Sequence, residues 1–399
     1  MAGRPLHALA LPAGRALTTA VHEALDGGPA VLPLSPDLRP AELVALLTAL
    51  RPTRLITAVS DEPLRDGLPV AGDVALVVPT SGSTRTPKGV ELSADALLAS
   101  ARSSLRRLDA GDGQRWLCCL PLSHIGGLQV LIRSRLLGTE PVLLPRFDVA
   151  TVITSAAATD WLALVPTMLT RLLDAGTDLS RWRGILLGGA APGERLLDRA
   201  REAGARVFTT YGMSETAGGC VYDGVPLDGV RIRLGDDGRI SIAGPVLCAG
   251  YRLAPAPVKG GWLRTSDLGR WAPDGRLQVL GRDDDVLVTG GENVVAGEVA
   301  SVVSAHPGVA EAVVVGAPDP EWGTRVVAVV VPATPSQPPT LAEVRDHCRL
   351  ALAPWKWPRQ LLVLDSLPLL ANGKLDRASL TASAAAPVAP SAGPGEHEP

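Results

Sequence analysis

Residues 74–90, VALVVPTSGSTRTPKGV, carry the pattern that decides the fold of this chain. Val74–Val78 is a short apolar run, typical of a buried strand, and it enters a loop of small hydroxyl residues and glycine. Such residues let backbone N–H groups approach an anion closely, and Lys88 adds a positive charge. The loop does not match the G-x-x-x-x-G-K-S/T pattern, so a solvated turn stays open as the alternative.

Short apolar runs alternate with helical stretches around this loop. Helical spacing is found at residues 41–50, 94–105 and 192–203. Strand-like apolar runs occupy residues 116–122, 141–144, 160–165, 184–187 and 206–209. Strands that alternate with helices predict an α/β fold with a mostly parallel sheet.

The pattern changes twice towards the C-terminus. After about residue 224, short strands are broken by Asp-Gly and Gly-Gly turns, which predicts a small β subdomain. A compact α+β unit follows. The predicted domains are residues 1–283, residues 284–381, and a disordered Ala/Pro-rich tail at residues 382–399.

The composition excludes several classes of protein. Apolar residues make up 46% of the 399 residues and charged residues 20%, which excludes a wholly disordered chain. The net charge of −3 argues against binding nucleic acid by charge alone. The five cysteines include no C-x-x-C pair, which favours reduced thiols in a cytoplasmic protein. No apolar run reaches the roughly 18 residues of a membrane span.

Residues 209–216, TTYGMSET, place a ring, a hydroxyl and a carboxylate close together. A nucleotide site needs a stacking surface, a phosphate donor and a magnesium ligand, and this stretch offers all three. Asp267 stands near the end of a predicted strand and can accept hydrogen bonds from ribose hydroxyls. From local sequence alone, an ordinary strand-to-loop corner and a turn cap remain the alternatives.

Four further stretches each allow a functional and a structural interpretation. Residues 281–285, GRDDD, predict a hinge or an acidic surface turn. Residues 372–374, NGK, form a tight turn that presents Lys374, one of only four lysines, or else a surface hairpin. His124 is a lone histidine beyond a strand, and Gly188-Gly189 can support a flat ligand or a packing turn.

The order of these motifs is more specific than any one of them. The series TSGSTRTPKG, YGMSET, WLRTSDLG, GRDDD, GGEN and NGKLDR closely resembles the acyl-adenylate-forming superfamily, from about residue 74 to residue 377. That superfamily includes acyl-CoA synthetases, peptide-synthetase adenylation domains and luciferases. The resemblance implies a large N-terminal domain, a small mobile C-terminal domain, and the use of ATP, Mg²⁺ and CoA with a small-molecule carboxylate.

The resemblance also implies a role for each matched position. The phosphate loop would comprise Thr80, Ser81, Gly82, Ser83, Thr84 and Lys88. The nucleotide would be held by Gly189, Tyr211, Gly212, Met213 and Ser214, with ribose contacts from Asp267 and Arg282. Catalytic positions would be Lys374, Glu215 and His124, with Glu215 and Thr84 at the metal. The hinge would be Asp284, and the loop on the CoA side would contain Gly290 and Gly291.

One branch of the superfamily matches further. Residues 118–143, CCLPLSHIGGLQVLIRSRLLGTEPVL, and residues 287–300, LVTGGENVVAGEVA, resemble actinobacterial o-succinylbenzoate–CoA ligases of menaquinone biosynthesis. Their substrate carries a second carboxylate, for which the nearby candidates are Ser123, Arg133 and Arg135. Gly188 and Ala190 would line the acyl pocket. The loop departs from the common pattern at Ser83 and Arg85.

Three other functions stay open at this point. A CoA ligase for another aromatic or fatty acid would share the fold and the mechanism. An amino-acid adenylation domain usually carries a Phe-Asp-x-Ser pattern, whereas residues 122–125 read LSHI and contain no acid. A catalytically inactive nucleotide sensor is disfavoured because both Glu215 and Lys374 are present. A homodimer is compatible with each of these functions.

Overall fold

The computed structural model describes residues 3–80, 87–368 and 375–385, and within them it has the predicted α/β architecture. The chain divides into two compact units. The first comprises Met1–Pro192 and Leu196–Val279, and the second comprises Gly193–Arg195 and Leu280–Pro399, each within its described part. The predicted domain boundary, after residue 283, lies a few residues beyond Val279.

The strands are numbered in chain order. The first sixteen are β1 (Leu6–Ala10), β2 (Ala30–Pro33), β3 (Arg54–Thr57), β4 (Asp61–Pro63), β5 (Val74–Thr80), β6 (Lys88–Ser93), β7 (Trp116–Cys118), β8 (Val142–Leu143), β9 (Trp161–Leu164), β10 (Gly184–Leu187), β11 (Val207–Met213), β12 (Gly218–Tyr222), β13 (Val225–Pro226), β14 (Arg231–Leu234), β15 (Arg239–Ala243) and β16 (Gly250–Tyr251). The others are β17 (Val258–Lys259), β18 (Trp262–Trp271), β19 (Leu277–Arg282), β20 (Val286–Thr289), β21 (Glu292–Val295), β22 (Val309–Asp319), β23 (Gly323–Pro332) and β24 (Gln360–Val363).

The α-helices are numbered in the same way. They are α1 (Arg15–Leu25), α2 (Pro40–Leu50), α3 (Ala94–Leu108), α4 (Ile125–Leu136), α5 (Val149–Ser155), α6 (Pro166–Asp174), α7 (Glu194–Glu202), α8 (Ala296–Ser304), α9 (Leu341–Arg349) and α10 (Arg377–Ala385). Several starts have a clear local cause. Ser93 accepts a hydrogen bond from the Ala96 N–H at the start of α3, and Thr340 caps α9.

Two seven-stranded sheets form the body of the first unit. The first has the order β16-β6-β5-β2-β1-β3-β4, with a parallel centre from β5 to β3 and antiparallel strands at both edges. The second has the order β13-β12-β11-β10-β9-β7-β8 and is parallel from β8 to β11. The predicted parallel sheet is therefore present, but it is divided into two.

Helix α3 contacts both sheets, and α4 contacts the second sheet and packs against α3 and α1. The largest apolar core of the chain surrounds α3 and α4, with Leu97 and Leu128 fully buried. Helix α4 is buried along most of its length. A second core, around Leu162 and Leu187, covers the other face of the second sheet, beneath α5, α6 and α7.

The predicted β subdomain is a separate antiparallel sheet of β14, β15, β18 and β17, with β19 beside β18. The second unit contains the hairpin β20–β21 and the sheet β22-β23-β24, packed on α8 and α9 around Val299, Val326 and Val344. The prediction of disorder from residue 382 is wrong for residues 382–385. They belong to α10, whose Ala384 side chain is buried among apolar neighbours.

Candidate active site

Predicted site residues lie at the carboxyl ends of three parallel strands of the second sheet, β7, β10 and β11. Ser123 and His124 follow β7, Gly188 and Gly189 follow β10, and Tyr211 lies near the end of β11. Carboxyl ends of parallel strands meet at one edge of a sheet, where ligands of α/β proteins bind. The topology therefore brings together residues that are far apart in the sequence.

The pairing of β11 with β12 is irregular at Gly212. The register with β12 shifts between Tyr211 and Gly212, and a Cβ atom at Gly212 would lie 2.2 Å from the Gly218 carbonyl oxygen. The turn that follows is fixed by Thr216, whose hydroxyl accepts from the Met213 N–H at 2.9 Å and donates to the Gly218 carbonyl at 2.7 Å. This turn holds Met213, Ser214 and Glu215 in place.

Tyr211 is bonded to the predicted ribose contact. Its hydroxyl donates to Oδ2 of Asp267 at 2.7 Å, which joins β11 to β18 of the β subdomain. Burial, reinforced by the negative charge of Asp267, raises the pKa of Tyr211 far above its ordinary value, so the hydroxyl remains a donor. The Thr265 hydroxyl accepts from the Asp267 N–H at 3.0 Å and orients this strand.

Glu215 has a matching partner, Tyr251 on β16 of the first sheet. The Tyr251 hydroxyl donates to Oε1 of Glu215 at 2.7 Å. Burial is the larger cause that raises the pKa of Tyr251, and this hydrogen bond adds to it. The Lys88 ammonium lies 5.6 Å from the centre of the Tyr251 ring, and Lys88 pairs with Thr80 across the β5–β6 hairpin. Tyr251 thus contacts both Lys88 of the first sheet and Glu215, which follows β11 of the second sheet.

Part of the predicted site is outside the described residues. Ser81, Gly82, Ser83, Thr84 and Lys374 belong to this part, as does Arg85. Thr80 is described as the last residue of β5.

The predicted acyl-pocket residues take different environments. His124 is exposed and immediately precedes α4, while Ser123 is half-buried. Gly189 has a φ of +84°, which favours glycine, and a Cβ atom at Gly188 would lie 2.5 Å from the Thr210 hydroxyl oxygen. Ala190, the next residue, is exposed.

Arg133 lies on the buried helix α4. Its side chain is 4% exposed, and its guanidinium lies 4.4 Å from the centre of the Trp116 ring. Burial lowers the pKa of Arg133. Within the described residues the guanidinium forms no ion pair, and its Nε atom has no hydrogen-bond partner. Arg135, by contrast, points to α1, where it pairs with Asp26 at 2.6 Å.

Among the described residues, four predicted site residues lie in the second unit. Arg282 donates from Nε to Oδ1 of Asp284 at 2.8 Å, and this bond lowers the pKa of Asp284. The predicted ribose contact and the predicted hinge residue therefore pair with each other. Gly290 and Gly291 form the turn between β20 and β21, with φ values of +58° and +85°.

Comparison with known proteins agrees with this geometry. Residues 60–254 match the family model of the AMP-binding enzymes, and residues 298–374 match the model of the AMP-binding enzyme C-terminal domain. The chain belongs to the AMP-binding enzyme family. The resemblance of its motifs to the adenylate-forming superfamily is thereby confirmed.

Relatives of this AMP-binding enzyme include a probable 2-succinylbenzoate–CoA ligase of Mycobacterium tuberculosis strain H37Rv. The two are 43% identical over 332 residues, which cover 79% of this chain and 86% of the relative. Among solved structures, o-succinylbenzoate CoA synthetase (MenE) of Bacillus subtilis in complex with the acyl-adenylate intermediate OSB-AMP is 33% identical, with a TM-score of 0.79 over 94% of this chain and 88% of the other. The same synthetase with ATP and magnesium ion is 32% identical, with a TM-score of 0.77 over 94% and 89%.

The acidic residues of the enzyme fit a magnesium ion that is shared with a nucleotide. Mg²⁺ usually takes one or two carboxylates together with substrate phosphates. Glu215 supplies one half-buried carboxylate, oriented by Tyr251. Across the described ranges, no group of three or more His, Cys, Asp or Glu side chains could hold a metal alone.

Two residues that contact the candidate site were not predicted. Tyr251 is one of only three tyrosines in the chain, a scarcity that could have marked it. Gln129 lies one turn before Arg133 on α4 and donates to the Ala217 carbonyl at 2.7 Å, while its Oε1 atom is buried without a partner.

No helix of the described ranges is both long enough and apolar enough to cross a membrane.

Proposed function

We propose that this enzyme is an ATP-dependent acid–thiol ligase that converts o-succinylbenzoate and CoA to o-succinylbenzoyl-CoA, AMP and pyrophosphate, as in menaquinone biosynthesis. The identity to 2-succinylbenzoate–CoA ligases and the likeness to a synthetase solved with its acyl adenylate support this function. Free, buried thiols at all five cysteines support a reducing compartment such as the cytoplasm.

The observation that carries the substrate class is Arg133. A buried guanidinium without an acid is costly unless an anion meets it. o-Succinylbenzoate has one carboxylate to be activated and a second that remains charged. We assign that second carboxylate to Arg133, with Ser123, Gln129, Gly188 and Ala190 along the acyl group and His124 at its reactive end. A fatty acid has no group that would satisfy Arg133.

For the nucleotide, we assign the ring of Tyr211 and the backbone of Gly189 to adenine. The turn at Gly212, Met213 and Ser214 leads to the phosphates, and Asp267 and Arg282 are assigned to the ribose hydroxyls. Residues 80–84 and Lys88 would hold the β- and γ-phosphates. The bond from Tyr211 to Asp267 supports this assignment, because it ties the adenine and ribose positions together.

In the first step, the carboxylate oxygen attacks the α-phosphorus, a C–O–P bond forms, and pyrophosphate leaves. Two anions must approach each other, so positive charge has to offset their repulsion. Lys374 is assigned to bridge the carboxylate and the α-phosphate. Glu215, with Thr84, would hold Mg²⁺, which neutralises phosphate charge when it is bound.

In the second step, the CoA sulfur attacks the acyl carbon, the bond to AMP breaks, and the thiol proton is released. The Gly290-Gly291 turn is assigned to CoA, and Asp284 to a hinge that lets a mobile C-terminal domain serve both steps. A homodimer belongs to the proposal as well.

A carboxylate panel tests the function. AMP and pyrophosphate release is measured with ATP, Mg²⁺ and CoA for o-succinylbenzoate, benzoate, medium-chain fatty acids and amino acids, with light scattering for the oligomeric state. A strong preference for o-succinylbenzoate with a CoA thioester as product supports the proposal. Preference for another acid would replace the substrate and keep the mechanism. No turnover with any acid would favour an inactive nucleotide sensor.

A further inference from the structure

The turn between β20 and β21 has an open side and a closed side. Both of its glycines have left-handed φ angles, as two-residue hairpin turns require. A Cβ atom at Gly291 would meet nothing within 4 Å, whereas one at Gly290 would lie 2.7 Å from the ring of Trp322. One glycine of the assigned CoA turn thus faces open space, and the other rests on a tryptophan.

Trp322 holds this turn through two different contacts. Its carbonyl accepts a hydrogen bond from the Gly290 N–H at 2.9 Å, and its ring fills the space beside the same residue. The backbone hydrogen bond fixes the distance between the turn and Trp322, and the rigid indole ring limits lateral movement of the turn. Together they determine where Gly290 and Gly291 lie relative to the rest of the second unit.

Trp322 is itself held from two directions. The Asp319 carboxylate accepts from the Trp322 N–H at 3.0 Å, which fixes the loop between β22 and β23. The Arg359 guanidinium lies 3.9 Å from the centre of the ring. Arg359 in turn is anchored by its own N–H, which donates to the Val326 carbonyl at 2.8 Å.

We propose that Trp322, held by Arg359, is a positioning residue for the CoA step: it fixes the Gly290-Gly291 turn that is assigned to CoA. This inference rests on the proposed function. In that step the sulfur–carbon bond forms, the bond from the acyl carbon to AMP breaks, and the thiol proton leaves. Adenylation does not use the turn, so Trp322 affects the second step and spares the first.

The test separates the two half-reactions. ATP–pyrophosphate exchange with o-succinylbenzoate reports adenylation, and single-turnover transfer from preformed o-succinylbenzoyl adenylate to CoA reports the second step. In Trp322→Ala the transfer should slow by about tenfold or more, because small misplacements of reacting groups cost this much. Exchange should stay within about twofold of the unmodified enzyme. Trp322→Phe keeps a flat ring and should restore most of the transfer rate.

Arg359→Gln provides a second variant that does not depend on the fold tolerating the loss of a tryptophan. It should slow transfer by about threefold, less than Trp322→Ala, because the ring remains in place. The matched control is Arg349→Gln. Arg349 also lies over a tryptophan of the second unit, Trp357, at 5.1 Å from the ring centre, but that ring packs on the core around Val299. The control should leave both half-reactions unchanged.

A mutant cycle adds a readout that general destabilisation would not give. Gly290→Ala places a methyl group against the Trp322 ring, so its effect on transfer should be smaller in the Trp322→Ala background than alone. Equal slowing of exchange and transfer in Trp322→Ala, or normal transfer in that variant, would overturn the role of Trp322. Absence of exchange with every carboxylate in the unmodified enzyme would instead overturn the proposed function.

Discussion

Two buried arginines of the first unit, Arg252 and Arg133, have opposite surroundings. Arg252 is 6% exposed, and its guanidinium donates to the carbonyls of Leu50, Leu68 and Pro69 and contacts Glu91 at 3.4 Å. Arg133 is 4% exposed; among the described residues it has an aromatic ring beside it, no ion pair, and no hydrogen-bond partner for its Nε atom. A buried charge that the protein satisfies serves the fold, whereas one that it leaves unsatisfied is available to a ligand.

The largest effect is expected at Arg252. Arg252→Met leaves one buried and two partly buried carbonyls without this donor and Glu91 without its cation, so the free energy of unfolding should fall by about 3 kcal/mol. Denaturant titration measures this change. Arg106→Met is the control, since its ion pair with Asp228 is exposed, and it should cost less than about 1 kcal/mol. Equal free energies of unfolding for Arg252→Met and Arg106→Met would contradict the structural role of Arg252.

Arg133→Met should produce the reverse pattern. The free energy of unfolding should stay within about 1 kcal/mol of the unmodified enzyme or rise, because an uncompensated buried charge is removed. The kcat/KM for o-succinylbenzoate should fall by about 100-fold, as expected when one partner of a buried charge pair is lost. Steady-state kinetics and denaturant titration on the same variant check both statements. Loss of stability with unchanged kcat/KM would assign Arg133 to the scaffold.

Arg133→Lys tests the role of the buried charge in a second way, because kcat/KM of this variant should depend on pH. An amine at this buried position has a depressed pKa, just as burial lowers the pKa of Arg133 itself. The ammonium form therefore loses its proton as the pH rises, and the neutral amine no longer attracts the substrate carboxylate. The ratio of variant to unmodified kcat/KM should fall about fivefold between roughly pH 7 and 9. A flat ratio would place Arg133 away from the carboxylate.

The smallest effect is expected for a substitution of Tyr251, the residue before Arg252. Tyr251→Phe removes the donor to Glu215 and should raise the Mg²⁺ concentration needed for half-maximal adenylation by about threefold to tenfold. Stability should change by less than about 1 kcal/mol. Adenylation rates across a magnesium titration give the result. An unchanged magnesium requirement would separate Glu215 from the metal.

Sequence predicted the fold where local pattern and tertiary context agree. The apolar run at Gly184–Leu187 is a strand with the predicted bounds, since a central strand of a parallel sheet is apolar on both faces. Helix α4 was not predicted. It is buried on nearly all sides and so lacks helical periodicity, and its first turn contains Gly126-Gly127. Gly127 is required there because a Cβ atom would lie 2.5 Å from the Pro121 carbonyl oxygen.

The site was predictable where it is contiguous in sequence. Tyr211, Glu215 and Asp267 were predicted as site residues from their motifs, and the structure bonds Tyr211 to Asp267. Tyr251 could not be found in this way. It reaches Glu215 only because the two-residue strand β16 pairs with β6, far away in the sequence, and no local pattern encodes that pairing. Arg133 was predicted as a candidate, but its burial beside Trp116 was not.

Strand β16 and Arg252 come late in the sequence, and this determines when the first sheet can be completed during translation. Arg252 follows its acceptor Leu50 by 202 residues. At about 5–20 residues per second, the ribosome delivers it on the order of ten to forty seconds after the first strands emerge. Until then the outer edge of β6 has no neighbour, and an open strand edge invites pairing with other chains. Completion of the first sheet is thus paced by translation.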